Sequence, residues 1–524
     1  MAGSYVGRGR IKVFAHTRLS QSQPRAKMLA PQEGFSLRAR VARSMFWIAW
    51  SRGVLQLLTF ATTLFIARIL VPADYGVMAL ATSFTGHAGM LAEMGLGSAI
   101  IQFRDLNRRE LDTCFWITMT LALVFFAALF LGAPAIAHWL AVPVLADVLP
   151  VLSLVVPLTA CRVVSDSLLR KRLALDRVSQ AEVIGAVVTL PITIGCALGG
   201  LGVWTLVVGY LVGPAVRSAA TFAFAPWLPR FRIGGERVRE VVRFSLATLG
   251  IRFMWSLREA ANSLILGKVT GQVATVGLYN MADDVAHLPG QKISPVINML
   301  TSPVMAELQN DIDSLREAFY RAVRLTAAIV VPTSAGIALV ADDMVAVLLG
   351  PKWLPAAPLI RLISLYAAVR ALDGMLPNVM LARRRERFLF WYSVLLLLAM
   401  PGAAILGALW DGATGLIVLY TTAYCAVMIF LAKEALAELK GKFSELWSQT
   451  SAIMAATAVM TVVVLILGEL AARMQVDSPL VRLALLSFTG AVTYGATLFA
   501  IGSRVITEGA EVLGWILRPR RADS

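Results

Sequence analysis

The stretch from Thr113 to Ala137 reads TCFWITMTLALVFFAALFLGAPAIA and contains no charged side chain. A helix needs roughly 20 apolar residues to cross the ~30 Å hydrocarbon layer of a bilayer. Similar runs recur from Phe46 onward, and they are continuous rather than alternating, which favours helices over the strands of a barrel. Of the 524 residues, 58% are hydrophobic and only 15% are charged. We therefore predict an all-α polytopic membrane protein with about fourteen transmembrane helices. The predicted spans are 46–67, 76–101, 113–137, 148–169, 178–199, 203–225, 244–267, 276–306, 322–347, 356–381, 388–408, 413–432, 450–472 and 483–503.

The lysine and arginine residues orient these spans. Of the 48 Lys and Arg residues, about 35 lie in or at the border of the N-terminal tail, every second loop and the C-terminus, and about five lie in the other loops. Cytoplasmic loops carry the excess of Lys and Arg, so both termini are predicted to lie in the cytoplasm. The net charge of +16 therefore reflects topology, and it does not indicate nucleic-acid binding.

Outside the spans the sequence leaves little room for a folded domain. Residues 1–43 are polar and basic, which is typical of a disordered cytoplasmic tail. No phosphate loop, zinc-protease motif or serine-hydrolase elbow is found, and the four cysteines lack metal-ligand spacing. Asp311-Ile312-Asp313 has the D-x-D pattern of glycosyltransferase sites, but its position before Ser314 and a helical pattern favours a helix cap. We expect no enzyme activity, no metal and no cofactor.

An internal repeat divides the spans. Residues 66–77 (Ile66-Ala67-Arg68-Ile69-Leu70, ending at Tyr75-Gly76-Val77) are similar to residues 266–279 (Leu266-Gly267-Lys268-Val269-Thr270, ending at Val276-Gly277-Leu278-Tyr279), about 200 positions later. Residues 142–154 resemble residues 350–363 in the same way. Two six-helix lobes with the same orientation follow, arranged around a central cavity as in many transporters. We predict an N-lobe at 44–232, a C-lobe at 233–440, and two extra C-terminal helices with a basic cytoplasmic end at 441–524.

Several segments resemble one known family in their order and spacing. They are 67–76 (ARILVPADYG), 93–102 (EMGLGSAIIQ), Gly202-Val203-Trp204, Gly277-Leu278-Tyr279, and 349–353 (LGPKW) leading into 356–359 (AAPL). Through them the chain closely resembles the polysaccharide-transport (Wzx-type) flippases of the MOP exporter superfamily. The resemblance implies an alternating-access carrier that moves undecaprenyl-pyrophosphate-linked oligosaccharides across the bacterial inner membrane, for exopolysaccharide, capsule or lipopolysaccharide synthesis. The lipid bilayer, a polysaccharide polymerase and a chain-length regulator are the partners that it implies, and nucleic acid is not among them.

Charged side chains inside the spans are the candidate site residues. A charge near the bilayer centre costs roughly 2.5–3.5 kcal/mol on insertion scales, so its presence calls for a reason. In the resembling family, spans one, two, seven and eight line the cavity, and a pyrophosphate needs cations along its path. Arginine suits this role because it keeps its charge and binds phosphate oxygens with two parallel hydrogen bonds. The candidate substrate-binding cations are Arg52, Arg252, Arg258, Lys292 and Arg370.

Ionisable groups within the spans are also candidates for ion coupling. Without an ATP site, export must be driven by an ion gradient or by consumption of the product. Carboxylates and histidines in a membrane interior can exchange protons near neutral pH. The candidates are Glu93, Asp284 and His287.

Structural interpretations of some of these charges stay open. Arg52 is close enough to the end of its span to reach the cytoplasmic interface, and Arg258 and Glu259 can form a structural ion pair. The four-residue spacing of Arg162 and Asp166 favours a structural salt bridge. Arg217 and Arg361 lie near helix ends and are set aside as site residues.

Three other functions share part of this plan. A lipid-linked peptidoglycan-precursor flippase also has fourteen spans and a cationic cavity. A multidrug exporter of the same superfamily has twelve spans and favours acidic and aromatic cavity groups. A membrane-embedded polysaccharide polymerase or ligase needs a large outward loop with catalytic groups, whereas the longest outward loop predicted here has about a dozen residues. The local motifs favour the polysaccharide flippase.

Overall fold

The computed structural model describes residues 53, 55–56, 58–103, 105–502, 505 and 508. The predicted tail and Arg52 lie outside this part of the chain. Within it, all regular secondary structure is helical. The helices are α1 (Leu58–Ile69), α2 (Pro72–Glu93), α3 (Leu96–Gln102), α4 (Arg108–Leu140), α5 (Leu145–Ser153), α6 (Val155–Ala160), α7 (Val163–Lys171), α8 (Leu175–Leu198), α9 (Val203–Phe224), α10 (Val238–Thr270), α11 (Val273–Glu307), α12 (Ile312–Leu339), α13 (Ala341–Leu348), α14 (Ala357–Asp373), α15 (Leu376–Ala382), α16 (Glu386–Glu438), α17 (Phe443–Arg473) and α18 (Pro479–Ala500), with short 3-10 turns at Leu308–Asn310 and Pro351–Ala356.

The charge-free stretch 113–137 lies within α4. This helix starts with a capping box, in which the Asn107 side chain accepts the Glu110 backbone N–H (2.9 Å) and the Glu110 carboxylate accepts the Asn107 N–H (2.8 Å). These bonds satisfy backbone donors that the first turn leaves without partners. The helix ends where Ala141 takes a left-handed conformation (φ 56°).

Eight helical segments in the described part of the chain are long and apolar enough to cross a membrane, and α5 to α7 together form one of them. One of them, α16, contains two predicted spans because the chain reverses at Asp411 and Gly412, whose backbone angles are not helical. Residues eight apart in a straight helix are separated by about 12 Å. A Cβ on Gly407, however, would lie 2.3 Å from the carbonyl oxygen of Gly415. The chain is a multi-pass membrane protein, and the count of fourteen spans stays a prediction.

Three predicted spans are interrupted helices. The second span is divided into α2 and α3 at Met94 and Gly95, which both have left-handed backbone angles (φ 50° and 71°). The fourth span consists of α5, α6 and α7, and the tenth consists of α14 and α15 on either side of Gly374. Breaks of this kind free backbone groups, which are tolerated at membrane depth where they line a cavity or are buried in protein.

Three further helices are long enough to span the hydrocarbon layer, but their mean hydropathy is lower than that of a typical transmembrane helix. They are α2, α10 and α11, with 22, 33 and 35 residues. All three pack against one another in the middle of the bundle. Some of their polar side chains, such as those of Thr85, Asn262 and His287, are buried in the bundle.

Helices α2 and α11 cross with their backbones in direct contact. A Cβ on Gly76 would lie 1.9 Å from the carbonyl oxygen of Val273, and a Cβ on Gly277 would lie 1.9 Å from that of Pro72. Glycine permits this approach because it has no side chain. Gly76 and Gly277 are equivalent positions of the internal repeat, so the contact is reciprocal, as at a twofold axis.

A second pair of glycines supports the division of the chain into two repeats. Gly202 begins α9 with φ 54° and ψ −130°, and Gly412 has φ 53° and ψ −127° before the last helix of the predicted C-lobe. Side chains other than that of glycine are excluded from this backbone region. Both glycines thus start the sixth helix of their repeat, while the lobe boundaries at 44, 233 and 441 stay predictions.

At one end of the bundle, side chains of each repeat cap helices of the other. Arg68, at the end of α1, donates hydrogen bonds to the carbonyl oxygens of Val347 and Leu348, where α13 ends. Its repeat counterpart Lys268, in α10, donates to the carbonyl oxygen of Trp139 (2.6 Å), where α4 ends. Helix C-termini attract cations because their last carbonyl groups lack partners. Both contacts lie on the predicted outward side.

The segment 349–353 contributes to the same end. The fully buried Trp353 donates its indole N–H to the carbonyl oxygen of Ala67 (2.8 Å), and its ring meets that of Tyr75 edge to face at 5.1 Å. The Lys352 ammonium donates to the carbonyl oxygen of Ile69 (2.9 Å). These bonds join the turn after α13 to the end of α1, and so join the two repeats.

The D-x-D segment is a helix cap, as predicted. The Asp311 carboxylate accepts the backbone N–H groups of Asp313 and Ser314 and the hydroxyl of Ser314. These bonds, the Ser314 hydroxyl above all, hold the pKa of the Asp311 carboxyl below its ordinary value. Its acceptors are therefore used at the start of α12, which contradicts a nucleotide site.

Substitution Gly277→Ala tests the helix crossing. The new methyl group would overlap the Pro72 carbonyl group and force α2 and α11 apart, at a cost of about 1–3 kcal/mol or more. We expect a lower melting temperature for the detergent-solubilised protein, measured by fluorescence-detected size exclusion after heating. Gly195→Ala is the control, because no atom lies within 4 Å of its added Cβ. Equal melting of both variants and the wild type would contradict the crossing.

Substitution Trp353→Phe tests the bond between the repeats at the outward end. Phenylalanine keeps an aromatic ring against Tyr75 but cannot donate to the buried Ala67 carbonyl group, which costs about 1 kcal/mol. We expect a measurable fall in melting temperature in the same assay. Trp447→Phe is the matched control, since that side chain is 61% exposed. A fall of the same size in the control would mean that the indole bond contributes nothing.

Candidate functional site

Two polar pockets lie inside the bundle. The larger one, of about 540 Å³, lies among α2, α3, α6, α7 and α9, and we call it the N-pocket. The smaller one, of about 220 Å³, lies among α10, α11, α14 and α16, and we call it the C-pocket. Polar residues that line the N-pocket are Thr85, Glu93, Ser98, Thr159, Arg162, Asp166, Ser167, Arg170, Tyr210 and Arg217. Those of the C-pocket are Arg258, Asn262, Ser263, Tyr279, Asn280, Asp283, Asp284, Gln291, Tyr366, Arg370, Tyr420 and Thr421.

The repeat relates the two pockets. The second, fourth and sixth predicted spans line the N-pocket, and their counterparts, the eighth, tenth and twelfth, line the C-pocket together with the seventh. Arg162 precedes Arg370 by the same interval that separates Pro143 from Pro351 in the repeat. Each half of the chain therefore places an arginine at the same position of its pocket.

A tyrosine is duplicated in the same way. Tyr210 precedes Tyr420 by the interval from Gly202 to Gly412, and each tyrosine lines the pocket of its own half. A guanidinium group and a phenol ring are thus common to both sites. Together they offer hydrogen-bond donors and an apolar face to a polar ligand.

Asp283, His287 and Arg370 form a chain of polar contacts next to the C-pocket. His287 is 4% exposed, and its Nδ1 lies 3.0 Å from the carbonyl oxygen and 3.2 Å from the carboxylate of Asp283. Its Nε2 lies 3.5 Å from a guanidinium nitrogen of Arg370. Because a guanidinium group only donates, Nε2 accepts and the ring proton is on Nδ1. His287 therefore connects an acidic group to an arginine.

Aromatic rings form another wall of the C-pocket. Tyr366 meets His287, Tyr420 and Tyr424 edge to face, with ring centroids 5.1–5.6 Å apart. The guanidinium of Arg258, which is 4% exposed, lies 6.0 Å from the ring centroid of Tyr424. The ring of Tyr424 thus lies at cation–π distance from the guanidinium of Arg258.

Asp166 lies among three arginines in the N-pocket. Its carboxylate is 2.7 Å from Arg170, 3.8 Å from Arg162 and 3.9 Å from Arg217, and Arg217 also contacts Glu182 at 2.6 Å. The predicted salt bridge between Arg162 and Asp166 is confirmed, but it belongs to a larger network on a pocket wall. Arg217, set aside in the sequence because of its place near a helix end, lines the same wall.

The eight predicted site residues do not all lie in one pocket. The Nζ of Lys292 lies outside the two pockets and donates to the Gln56 side chain (2.6 Å), which links α11 to the first span. Arg52 lies outside the described residues, and so does the side chain of Arg252. Glu93 lines the N-pocket, while Arg258, Asp284 and Arg370 line the C-pocket, where His287 contacts Arg370.

The charges of the C-pocket differ from those of a purely cationic cavity. Arg258 and Arg370 are accompanied by Asp283 and Asp284 on the same lining. Opposite charges at close range reduce the cost of keeping either sign away from water. Among the described residues, no cluster of three or more His, Cys, Asp or Glu side chains has the arrangement of a metal site.

Sequence reasoning missed Arg162 and Arg217 as pocket residues. The signal for Arg162 was present, because the repeat interval pairs it with Arg370, which was among the candidates. For Arg217 no such partner exists, since Val427 occupies the corresponding position at the interval of Tyr210 and Tyr420. Only the rotation of α9 about its axis places Arg217 on the pocket.

The chain is similar in sequence to proteins of polysaccharide biosynthesis. The family model described as "Polysaccharide biosynthesis protein" matches residues 65–358. The succinoglycan biosynthesis transport protein ExoT of Rhizobium meliloti (strain 1021) is 25% identical over 372 residues, which are 71% of this chain and 75% of the relative. The lipopolysaccharide biosynthesis protein WzxC of Escherichia coli (strain K12) is 25% identical over 382 residues, 72% of this chain and 77% of the relative.

Among solved structures, the lipid II flippase MurJ in an inward closed conformation has a similar fold. The TM-score is 0.70 with 12% sequence identity, and the match covers 86% of this chain and 98% of that protein. At this identity the likeness concerns the fold alone. The fold of the bundle is therefore similar to that of MurJ.

Proposed function

The chain belongs to the polysaccharide biosynthesis protein family, and on this basis we propose that it flips undecaprenyl-pyrophosphate-linked oligosaccharides across the bacterial inner membrane. The relatives named for succinoglycan and lipopolysaccharide biosynthesis support a saccharide cargo. The predicted membrane topology supports the inner membrane and cytoplasmic termini. The product would serve exopolysaccharide, capsule or lipopolysaccharide synthesis, with a polymerase and a chain-length regulator as later partners.

The observation that carries this proposal is the pair of repeat-related pockets, each of which is lined by arginine and tyrosine side chains. A pyrophosphate accepts paired hydrogen bonds from guanidinium groups, and Arg258 and Arg370 both line the C-pocket. Sugars offer hydroxyl groups and apolar ring faces, which suit the amides of Asn262 and Asn280 and the ring of Tyr420. Arg52, Arg252 and Lys292 remain proposed contacts along the path.

Alternating access fits the arrangement of the helices. The two repeats contact each other at the Gly76–Gly277 crossing, where no side chain obstructs a small rotation. At the predicted outward end, the bonds of Arg68 and Lys268 close the space between the repeats. We infer that these bonds break when the cargo leaves on the outward side.

A carrier fits the connecting segments better than a polymerase or a ligase does. In the described part of the chain, the loops at the predicted outward side are short: 70–71, 141–144, 199–202, 271–272, 349–356, 411–412 and 474–478. A periplasmic catalytic domain has no room in them. The proposal is therefore transport without covalent chemistry on the cargo.

Loss of the C-pocket arginines should stop export. Each of Arg258→Leu and Arg370→Leu removes a charged hydrogen-bonding group, worth about 1.5–3 kcal/mol, which corresponds to about ten-fold or more in binding. We expect surface polysaccharide to fall at least about ten-fold in a gene-deleted strain that carries either variant, at equal protein level in the membrane. Arg473→Leu is the control, because that side chain is 75% exposed at the predicted outward end. Normal export by both pocket variants would overturn the proposal.

Ion coupling is proposed to involve Asp284 of the C-pocket and His287, which contacts Arg370 of that pocket, with Glu93 as a separate candidate in the N-pocket. Transport in vesicles with an imposed pH gradient tests Asp284. If its carboxylate carries the proton, Asp284→Asn should transport at a rate that no longer responds to the gradient. A variant that responds as the wild type does would remove Asp284 from the coupling mechanism.

A further inference from the structure

Glu93 and Arg162 line the N-pocket with unused hydrogen-bonding capacity. Among the described residues, the Glu93 side chain makes no hydrogen bond and no ion pair, although it is half-buried where α2 ends. The Arg162 side chain makes no hydrogen bond within the same part of the chain, and its ion contact with Asp166 is 3.8 Å long. Asp166 is bonded instead to Arg170 at 2.7 Å. One carboxylate and one guanidinium group therefore face the same cavity.

Such groups are costly in a membrane interior unless water or a ligand satisfies them. The acids next to Arg162 are engaged by other arginines, because Asp166 contacts Arg170 and Glu182 contacts Arg217. Glu93 attracts Arg162 across the cavity but forms no ion pair with it among the described residues. A ligand between the two groups would bond to both at close range.

The cavity has room for that ligand. Its volume of about 540 Å³ falls in the range of small-molecule sites, roughly 300–1,000 Å³. Gly86 and Gly89 face it from α2, and no atom lies within 4 Å of a Cβ added to either glycine. The missing side chains leave one side of the pocket flat, next to the break between α2 and α3.

The lining favours an uncharged polyhydroxyl ligand over an anion. Glu93 and Asp166 would repel a phosphate, and the arginines are offset by these acids and by Glu182. A sugar hydroxyl both donates and accepts, so it can donate to Glu93 and accept from Arg162 at the same time. Hydroxyl groups of Thr85, Ser98, Thr159 and Ser167 and the ring of Tyr210 complete the lining.

We propose that the N-pocket is a second binding site for the cargo and holds an uncharged sugar unit between Glu93 and Arg162. The C-pocket is its repeat-related counterpart, and its Arg370 occupies the position of Arg162. This inference rests on the proposed function, and it assigns Glu93 to sugar binding in place of ion coupling. A cargo with several sugars would then contact both halves of the carrier.

Native mass spectrometry of the purified full-length protein, with two lipids as probes, tests this site. One probe is undecaprenyl-pyrophosphate-linked oligosaccharide from cells that carry this gene, and the other is undecaprenyl pyrophosphate without sugar. We expect Glu93→Gln and Arg162→Leu to weaken binding of the first probe about ten-fold and to leave binding of the second unchanged. Glu236→Gln, an exposed carboxylate before α10, is the matched control and should bind both probes as the wild type does.

The outcomes separate the two proposals. If the wild type does not bind the oligosaccharide-bearing lipid, the proposed function fails and the sugar site fails with it. If the wild type binds it but the N-pocket variants weaken both probes equally, or neither, the sugar site alone is overturned. Glu93→Asp keeps the charge and shortens the side chain, so an intermediate loss for the first probe is expected. Retained binding of the sugar-free lipid shows that each variant is folded.

Discussion

The backbone contact between α2 and α11 constrains the rest of the bundle. Two helices approach this closely only where neither carries a Cβ, and Gly76 and Gly277 provide that point in both repeats. Because the contact is reciprocal, the remaining helices of each half are arranged about it in corresponding positions. The paired pockets, with Arg162 matching Arg370 and Tyr210 matching Tyr420, follow from this arrangement.

Much of the fold is readable from the sequence because it depends on local pattern. Charge-free runs such as 113–137 predict helices, and the Asp311 cap was predicted from its position before Ser314. The polar helices α10 and α11 are different. Their mean hydropathy is low because it averages over all faces of a helix, including the polar face. The break at Met94 and Gly95 was not predicted either, since left-handed angles at a methionine leave no clear sign in the sequence.

The candidate site was predicted in part for a similar reason. Residue type and depth in a span indicate which charges are exceptional, and Arg258, Arg370, Asp284 and His287 do come together around one pocket. Which acid accompanies each arginine depends on the rotation of helices about their axes, which a single sequence does not specify. Both pockets contain acids as well as arginines. Neighbouring charges of opposite sign reduce the free-energy cost of burying each other in a membrane interior. In the N-pocket this balance of charges also favours a ligand rich in hydroxyl groups over a simple anion.

Three cations at the outward end, Arg68, Lys268 and Lys352, donate to main-chain carbonyl groups. Every residue has a carbonyl group, so a substitution at Val347 or Leu348 does not delete the acceptor that Arg68 uses. In this contact only Arg68 can then be selected by its side chain. A search for correlated substitutions between the two halves would therefore find little signal here, although the halves touch. Two relatives could differ at every acceptor position and still close the same end of the bundle in the same way.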